Sequence, residues 1–108
     1  MMRDGTMFSK RDVVIIDFPF SDFINSKKRP VLILGEKGDD FIVCAITSNL
    51  TVNGVSLQFE EGKLPLESTI KYWQIQTILK VRANKKLAKI TKKCYEETIS
   101  KINEVIKL

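Results

Sequence analysis

Val13-Val14-Ile15-Ile16-Asp17-Phe18 is a β-branched run closed by Pro19, a composition that predicts a buried strand ending at a loop. Residues Ser21 to Lys28 are polar, with Asp22, Asn25 and Ser26 supplying turn chemistry and Lys27-Lys28-Arg29 a basic tip. Pro30 then opens a second expected strand, Val31 to Leu34, because a strand's first position tolerates a missing N–H. Gly35 to Asp40 reads as a hairpin turn, and Phe41 to Ile46 as a third strand, apolar on both faces, that pairs with the second. Thr47-Ser48-Asn49 ends that run, and a loop through Asn53-Gly54 leads to a short strand around Val55 to Phe59.

After a turn over Gly62 to Glu67, the segment Thr69 to Val81 alternates. Trp73, Ile75, Thr77 and Leu79 share one face, opposite Tyr72, Gln74 and Gln76, which predicts a strand, with room for a bend or bulge, whose Trp73 face packs inward. Tyr95, Ile99, Ile102 and Ile106 recur at helical spacing, with Thr91 as N-cap and Lys107 at the favourable C-terminal end of the dipole. Several short strands and one closing helix predict a mainly β, α+β fold: a strongly bent sheet or small barrel with a helix packed on it.

The length of 108 residues, 44% apolar and 29% charged, fits one domain spanning residues 1–108 and burying its own core, with Met1 to Ser9 as a flexible lead. No apolar run approaches the roughly 20 residues of a membrane span. The N-terminus lacks the pattern of a secretory signal, so a cytoplasmic location is expected. In that reducing setting Cys44 and Cys94 read as buried thiols rather than a disulfide. With no histidine and no cysteine pair at ligand spacing, neither a metal site nor a cofactor is expected.

Charge changes the picture more than composition does. The net charge is +5, and between Ser68 and Tyr95 there is no acidic residue, while Lys71, Lys80, Arg82, Lys85, Lys86, Lys89, Lys92 and Lys93 all fall there. Such a one-signed stretch serves a polyanion such as RNA, or equally is a solvated lysine-rich surface.

The stretches Asp12 to Phe23, Lys27 to Leu34 and Ile42 to Ser48 resemble, in order and spacing, the MazF/PemK toxin family: an opening strand, a Pro-Phe turn, a polar loop, an Arg-Pro, and a later apolar strand ending in Thr-Ser. Ser68 to Ile78 and the closing helix fit the same pattern, so the resemblance runs from Lys10 to Leu108. It implies an SH3-like small β-barrel of the MazF/CcdB toxin type, a homodimer, metal-independent cleavage of single-stranded RNA, and an acidic antitoxin whose tail blocks the RNA groove. It carries over Arg29 and Thr47 as the catalytic pair, with Ser48 beside them. The family's glycine-rich first loop is replaced by the glycine-free Ser21 to Lys28, a departure that bears on which RNA sequence is preferred.

RNA supplies its own nucleophile, the 2′-hydroxyl, so the protein has to align the ribose, stabilise the phosphorane and manage two protons. Arg29 suits the charge, because a planar guanidinium meets two phosphoryl oxygens at once, and it can donate a proton to the leaving oxygen. Thr47 and Ser48 can donate to a non-bridging oxygen or orient the 2′-hydroxyl. The plainer alternatives are a surface arginine bonding a loop carbonyl and a threonine capping a strand end. Phe20, Ser21, Lys27, Lys28, Lys71, Tyr72 and Gln74 are the candidate RNA contacts, Tyr72 as a stacking platform. Phe20 and Phe23 can stack on bases, but the favoured reading is that they plug the barrel end, and Trp73 reads as core. Two rival functions fit the same pattern: a non-catalytic nucleic-acid-binding barrel, and a toxin of similar fold acting on a protein such as a topoisomerase.

Overall fold

Seven antiparallel strands and one long helix follow one another in the computed structural model, which describes residues 8–19 and 26–107. β1 (Asp12–Pro19), β2 (Ser26–Lys37) and β3 (Asp40–Thr47) form the middle of the sheet. Their apolar runs are buried on both faces, as the third expected strand foretold. Val13 and Leu32 join one core cluster while Val14, Val31 and Ile33 join a second, since successive side chains point to opposite faces. β4 (Val55–Ser56) and β6 (Thr69–Leu79) extend the sheet on one side, β7 (Ala83–Ile90) and β5 (Phe59–Gly62) on the other. A 3₁₀ turn, Lys80–Arg82, links β6 to β7.

The full order is β4-β6-β3-β2-β1-β7-β5. Its two end strands are separated in sequence only by Leu57 and Gln58. Three residue steps reach at most about 11 Å, so the sheet has to curl until its ends meet. The result is barrel-like but not closed by a ladder among the described residues, which agrees with the expected bent sheet. α1 (Lys92–Ile106) seals the first cluster with Cys94 and Ile102. Thr91 caps the helix by accepting from the Cys94 N–H at 3.0 Å, and the Tyr95 hydroxyl donates to the Leu34 carbonyl at 2.6 Å, tying helix to β2. The inward face of α1 is Cys94, Thr98 and Ile102 flanked by Tyr95 and Ile99, whereas Ile106 is exposed.

Two expectations shift, and one strand is added. Pro30 does not open a strand: β2 begins at Ser26, and Pro30 sits opposite Ile15 in the β1–β2 ladder, one residue before the β2–β3 ladder starts at Val31 and Ala45. The strand expected over Val55 to Phe59 is two strands that pair with different partners at opposite ends of the sheet. The lysine-rich stretch holds a strand, β7, in which the inward positions are Ala88 and Ile90. At the N-terminus, residues 1–7 lie outside the described residues, while Ser9 is held by Asp12, whose Oδ2 accepts from the Ser9 N–H at 2.9 Å.

β4 reaches β6 because residue 54 is glycine. A Cβ there would stand 2.1 Å from the Ile70 carbonyl oxygen and 3.0 Å from its carbon. Backbone cannot yield as a side chain can, so Gly54→Ala is expected to cost about 1–3 kcal/mol by prising β4 from β6, read as a lowered midpoint in urea.

Both cysteines are free and buried. Burial pushes the Cys44 thiol up from 9.0 to about 12. Its neutral form is the one the fold accepts, so this contribution to stability is intact below the ordinary thiol range and is lost as pH rises above it. At about pH 8 the native protein is expected to resist iodoacetamide at Cys44 and to react there only in denaturant, as counted by intact mass.

Candidate active site

Arg29 and Thr47 come together through strand register. The β2–β3 ladder begins at Val31 and Ala45; the same register carried two residues further out would set Arg29 opposite Thr47, past Pro30, which lacks a backbone donor. Ladder positions two apart lie on the same face. Arg29, Thr47, Ser48 and Lys28 line one cavity of about 480 Å³, within the usual size of a ligand site. Ser68 completes its polar side, and its hydroxyl donates to the Leu66 carbonyl at 2.8 Å. Ile15, Leu64, Pro65 and Leu87 supply apolar walls. None of the described lining residues carries a carboxylate, and two of them, Lys28 and Arg29, are cations.

Thr47 is oriented by the turn that follows it. Its Oγ1 accepts from the Asn49 N–H at 3.1 Å, and Asn49 Oδ1 accepts in turn from the Thr51 N–H at 3.1 Å and the Thr51 hydroxyl at 2.7 Å. The hydroxyl therefore caps the strand end and keeps its own proton for a neighbour. Those two roles are compatible, because one lone pair takes the Asn49 N–H while the O–H stays a donor. Arg29, Ser48 and Lys28 are exposed and Thr47 half-buried, so a solute has access to all four. The arrangement can bind an anion on the guanidinium and the ammonium and hold one of its oxygens against a hydroxyl.

The other candidates are placed elsewhere. Lys71, Tyr72 and Gln74 do not line this cavity. Tyr72 is half-buried against the first core cluster and meets Trp73 edge-on at 5.0 Å between ring centroids. Phe20 and Ser21 lie outside the described residues, as does Phe23, and Lys27 is placed by its backbone alone, opposite Phe18. Trp73 is not core: it is 44% exposed, with Ile75 at 42% and Leu79 at 50%. The β3–β6 pairing jumps from Cys44–Ile75 to Ala45–Lys71, and this bulge breaks the two-residue period that the inward assignment relied on. The inward residues of β6 are Ile70 and Ile78 instead.

The one-signed stretch is partly neutralised in space. Lys86 lies 3.1 Å from Glu61 and 3.5 Å from the buried Asp12, Lys89 is 3.9 Å from Asp12, and Lys80 pairs with Glu36. The bond to Glu61, with Asp12 adding its charge, pushes the Lys86 ammonium up. These acids come from β1, β2 and β5, which sequence distance conceals. The apolar walls at Leu64, Pro65 and Leu87 were missed as well, and nothing in their spacing marks them. Among the described residues no group of three or more His, Cys, Asp or Glu is placed to hold a metal ion, and no helix is long and apolar enough to cross a membrane.

Residues 9–106 match the family described as PemK-like, MazF-like toxin of type II toxin-antitoxin system. No curated protein matches the chain. Among solved structures it is similar to MazF in the MazE-MazF crystal structure (Form-II) from Deinococcus radiodurans, with TM-score 0.74 and 14% identity over 94% of this chain and 96% of that one. It is also similar to the Mycobacterium tuberculosis toxin MazF-mt6, with TM-score 0.70 and 22% identity over 91% of this chain and 98% of that one. At such identities the likeness is one of fold.

Proposed function

The chain belongs to the PemK-like, MazF-like toxins of type II toxin-antitoxin systems, and from that premise we propose that it is a metal-independent endoribonuclease that cuts single-stranded RNA, mRNA above all, in the cytoplasm. The observation that carries the reading is the meeting of Arg29, Lys28, Thr47 and Ser48 in one cavity. A merely RNA-binding barrel has no need of a guanidinium set against an oriented hydroxyl at one point, and a toxin aimed at a protein target has no need of a cavity lined by two cations beside those hydroxyls.

In this mechanism the RNA 2′-hydroxyl gives up its proton to water, its oxygen attacks the adjacent phosphorus, the bond to the 5′-oxygen breaks, that oxygen takes up a proton, and a 2′,3′-cyclic phosphate and a 5′-hydroxyl result. Arg29 spans two oxygens of the phosphorane and neutralises the charge that builds on them. Lys28 holds the backbone, and Thr47, fixed by the Asn49 N–H, donates to a non-bridging oxygen with Ser48 beside it. Arg29 can also donate the proton that the leaving 5′-oxygen takes up, and regains it from water. Purified protein is expected to cut a long single-stranded RNA in excess EDTA into discrete fragments with 2′,3′-cyclic phosphate ends. A broad RNA panel left intact overturns the reading.

Two partners belong to the same proposal. Trp73, Ile75, Leu79 and Val81, with Val105 and Ile106 at the end of α1, expose large apolar side chains, which a second copy in an isologous homodimer would cover. An acidic antitoxin would meet the cations of the cavity with negative charge and exclude RNA by occupying it. The family's toxin-antitoxin description and the MazE-MazF complexes among the fold relatives support that partner.

A further inference from the structure

A second cavity, of about 400 Å³, adjoins the first and shares Leu64, Leu66 and Ser68 with it. The segment from Leu64 to Ser68 is thus a partition between two compartments, and Leu66, 64% exposed, stands on it. The two compartments differ in chemistry. The first holds Lys28 and Arg29. The second has no cation among its described lining residues and offers the Glu67 carboxylate, the Asn53 amide and the hydroxyls of Ser56 and Ser68. A phosphate placed there would meet a like charge with nothing to offset it. A nucleobase, neutral and edged with donors and acceptors, would not.

We propose that this second cavity is a base-binding subsite for a nucleotide flanking the cleaved phosphate, that Glu67 makes it select guanine, and that Leu66 is the wedge parting that base from its neighbour. The inference rests on the ribonuclease reading and names the sequence such an enzyme would prefer. A carboxylate only accepts hydrogen bonds. Among the four RNA bases, guanine alone presents two adjacent N–H donors on its Watson–Crick edge, at N1 and N2, and so fills both carboxylate oxygens. The guanine O6 then needs a donor, which Asn53 and Ser56 supply from the same cavity. An apolar side chain standing proud between two compartments gives each base a surface to lie against once the two are unstacked.

The frame is stiff enough to read a base. The Thr69 hydroxyl donates to the Val55 carbonyl at 3.1 Å across the paired strands behind the cavity, and Gly54 packs directly on the Ile70 backbone. The wall from Leu50 to Gly54 belongs to the turn that orients Thr47. Val52 N–H donates to the Asn49 carbonyl at 3.2 Å, and Asn49 N–H donates to Thr47 Oγ1 at 3.1 Å. A base seated in the second cavity therefore presses on the same turn that aims the Thr47 hydroxyl, so recognition and alignment for cleavage share one set of hydrogen bonds.

The test maps every cut that the full-length protein makes in long single-stranded RNA in EDTA, then compares oligonucleotides that differ only at the selected position. The expected result is guanine at one fixed position within two nucleotides of the cut. Inosine there, which lacks the N2 donor, should lower kcat/KM by about tenfold in wild type and leave Glu67→Gln nearly unaffected. Leu66→Ala should raise KM by about tenfold with the guanine preference kept. Both residues are exposed, and matching melting curves exclude misfolding as the cause. Cutting without guanine near the site, or Glu67→Gln retaining the full inosine penalty, overturns the subsite while the ribonuclease stands. RNA left intact by wild type removes both.

Discussion

Arg29→Ala is expected to lower kcat for RNA cleavage by about 10²–10³-fold with little change in KM, the loss typical of removing a group that binds charge present only in the transition state. The phosphorane carries one more negative charge than the diester, and among the described residues of this cavity the cations are Arg29 and Lys28. Lys28 remains in the variant and preserves ground-state attraction for the backbone, which is why KM should move little. Arg29→Lys separates charge from shape: it keeps the positive charge and loses the planar fork, so it should recover only part of the rate. Thr47→Ala should cost less, about tenfold, because Ser48 lines the same cavity and can donate in its place. Arg29 is exposed, so melting curves of its variants should overlay that of wild type to within a few degrees. A variant that keeps full activity would remove Arg29 from the chemistry.

Phe41→Ala is expected to cost about 3–5 kcal/mol of stability. Among the described residues Phe41 is the largest fully buried side chain and the bulkiest member of the second core cluster, where it packs with Val14, Ile16, Val31, Ile33, Val43 and Ile78. Among the described residues Phe8 and Ala83 pack against that cluster, and the Lys80 ammonium lies 5.5 Å from the Phe41 ring centroid while pairing with Glu36. Truncation leaves a void that rigid paired strands cannot collapse into, and also removes the ring face from under a cation. For a domain of this size such a loss lowers the melting temperature by on the order of 15–30 °C. Phe41→Leu keeps most of the volume and should cost under about 1.5 kcal/mol. Thermal unfolding of both variants checks the pair, and equal melting temperatures would show that this cluster contributes little.

The strands that matter most to the site were legible because their cause is local. Val13 to Ile16, Val31 to Leu34 and Phe41 to Ile46 are continuous apolar runs, and a run buried on both faces needs no knowledge of its partners to be read as a central strand. Thr91 was legible as a cap for the same reason, since an N-cap serves the helix that begins beside it. β7 was not, because six of its eight residues leave no alternating pattern that a charge-rich surface could not also produce. Trp73 was misplaced because a bulge lies in the pairing of two strands, and one strand read alone does not contain it.

For the site the division is sharper. Arg29, Thr47 and Ser48 were named from motif resemblance, and the chain alone also sets which residues are charged, which are apolar and where the backbone lacks a donor. Their meeting depends on the β2–β3 register, a relation between segments about eighteen residues apart whose energy comes from pairing and burial rather than from either segment. The same holds for the walls at Leu64, Leu66 and Leu87, and for the acids at Asp12, Glu36 and Glu61 that hold Lys86, Lys89 and Lys80. Charges and hydroxyls act over a few ångströms, and curling the sheet until β4 and β5 meet sets those distances without leaving a mark in the order of the residues.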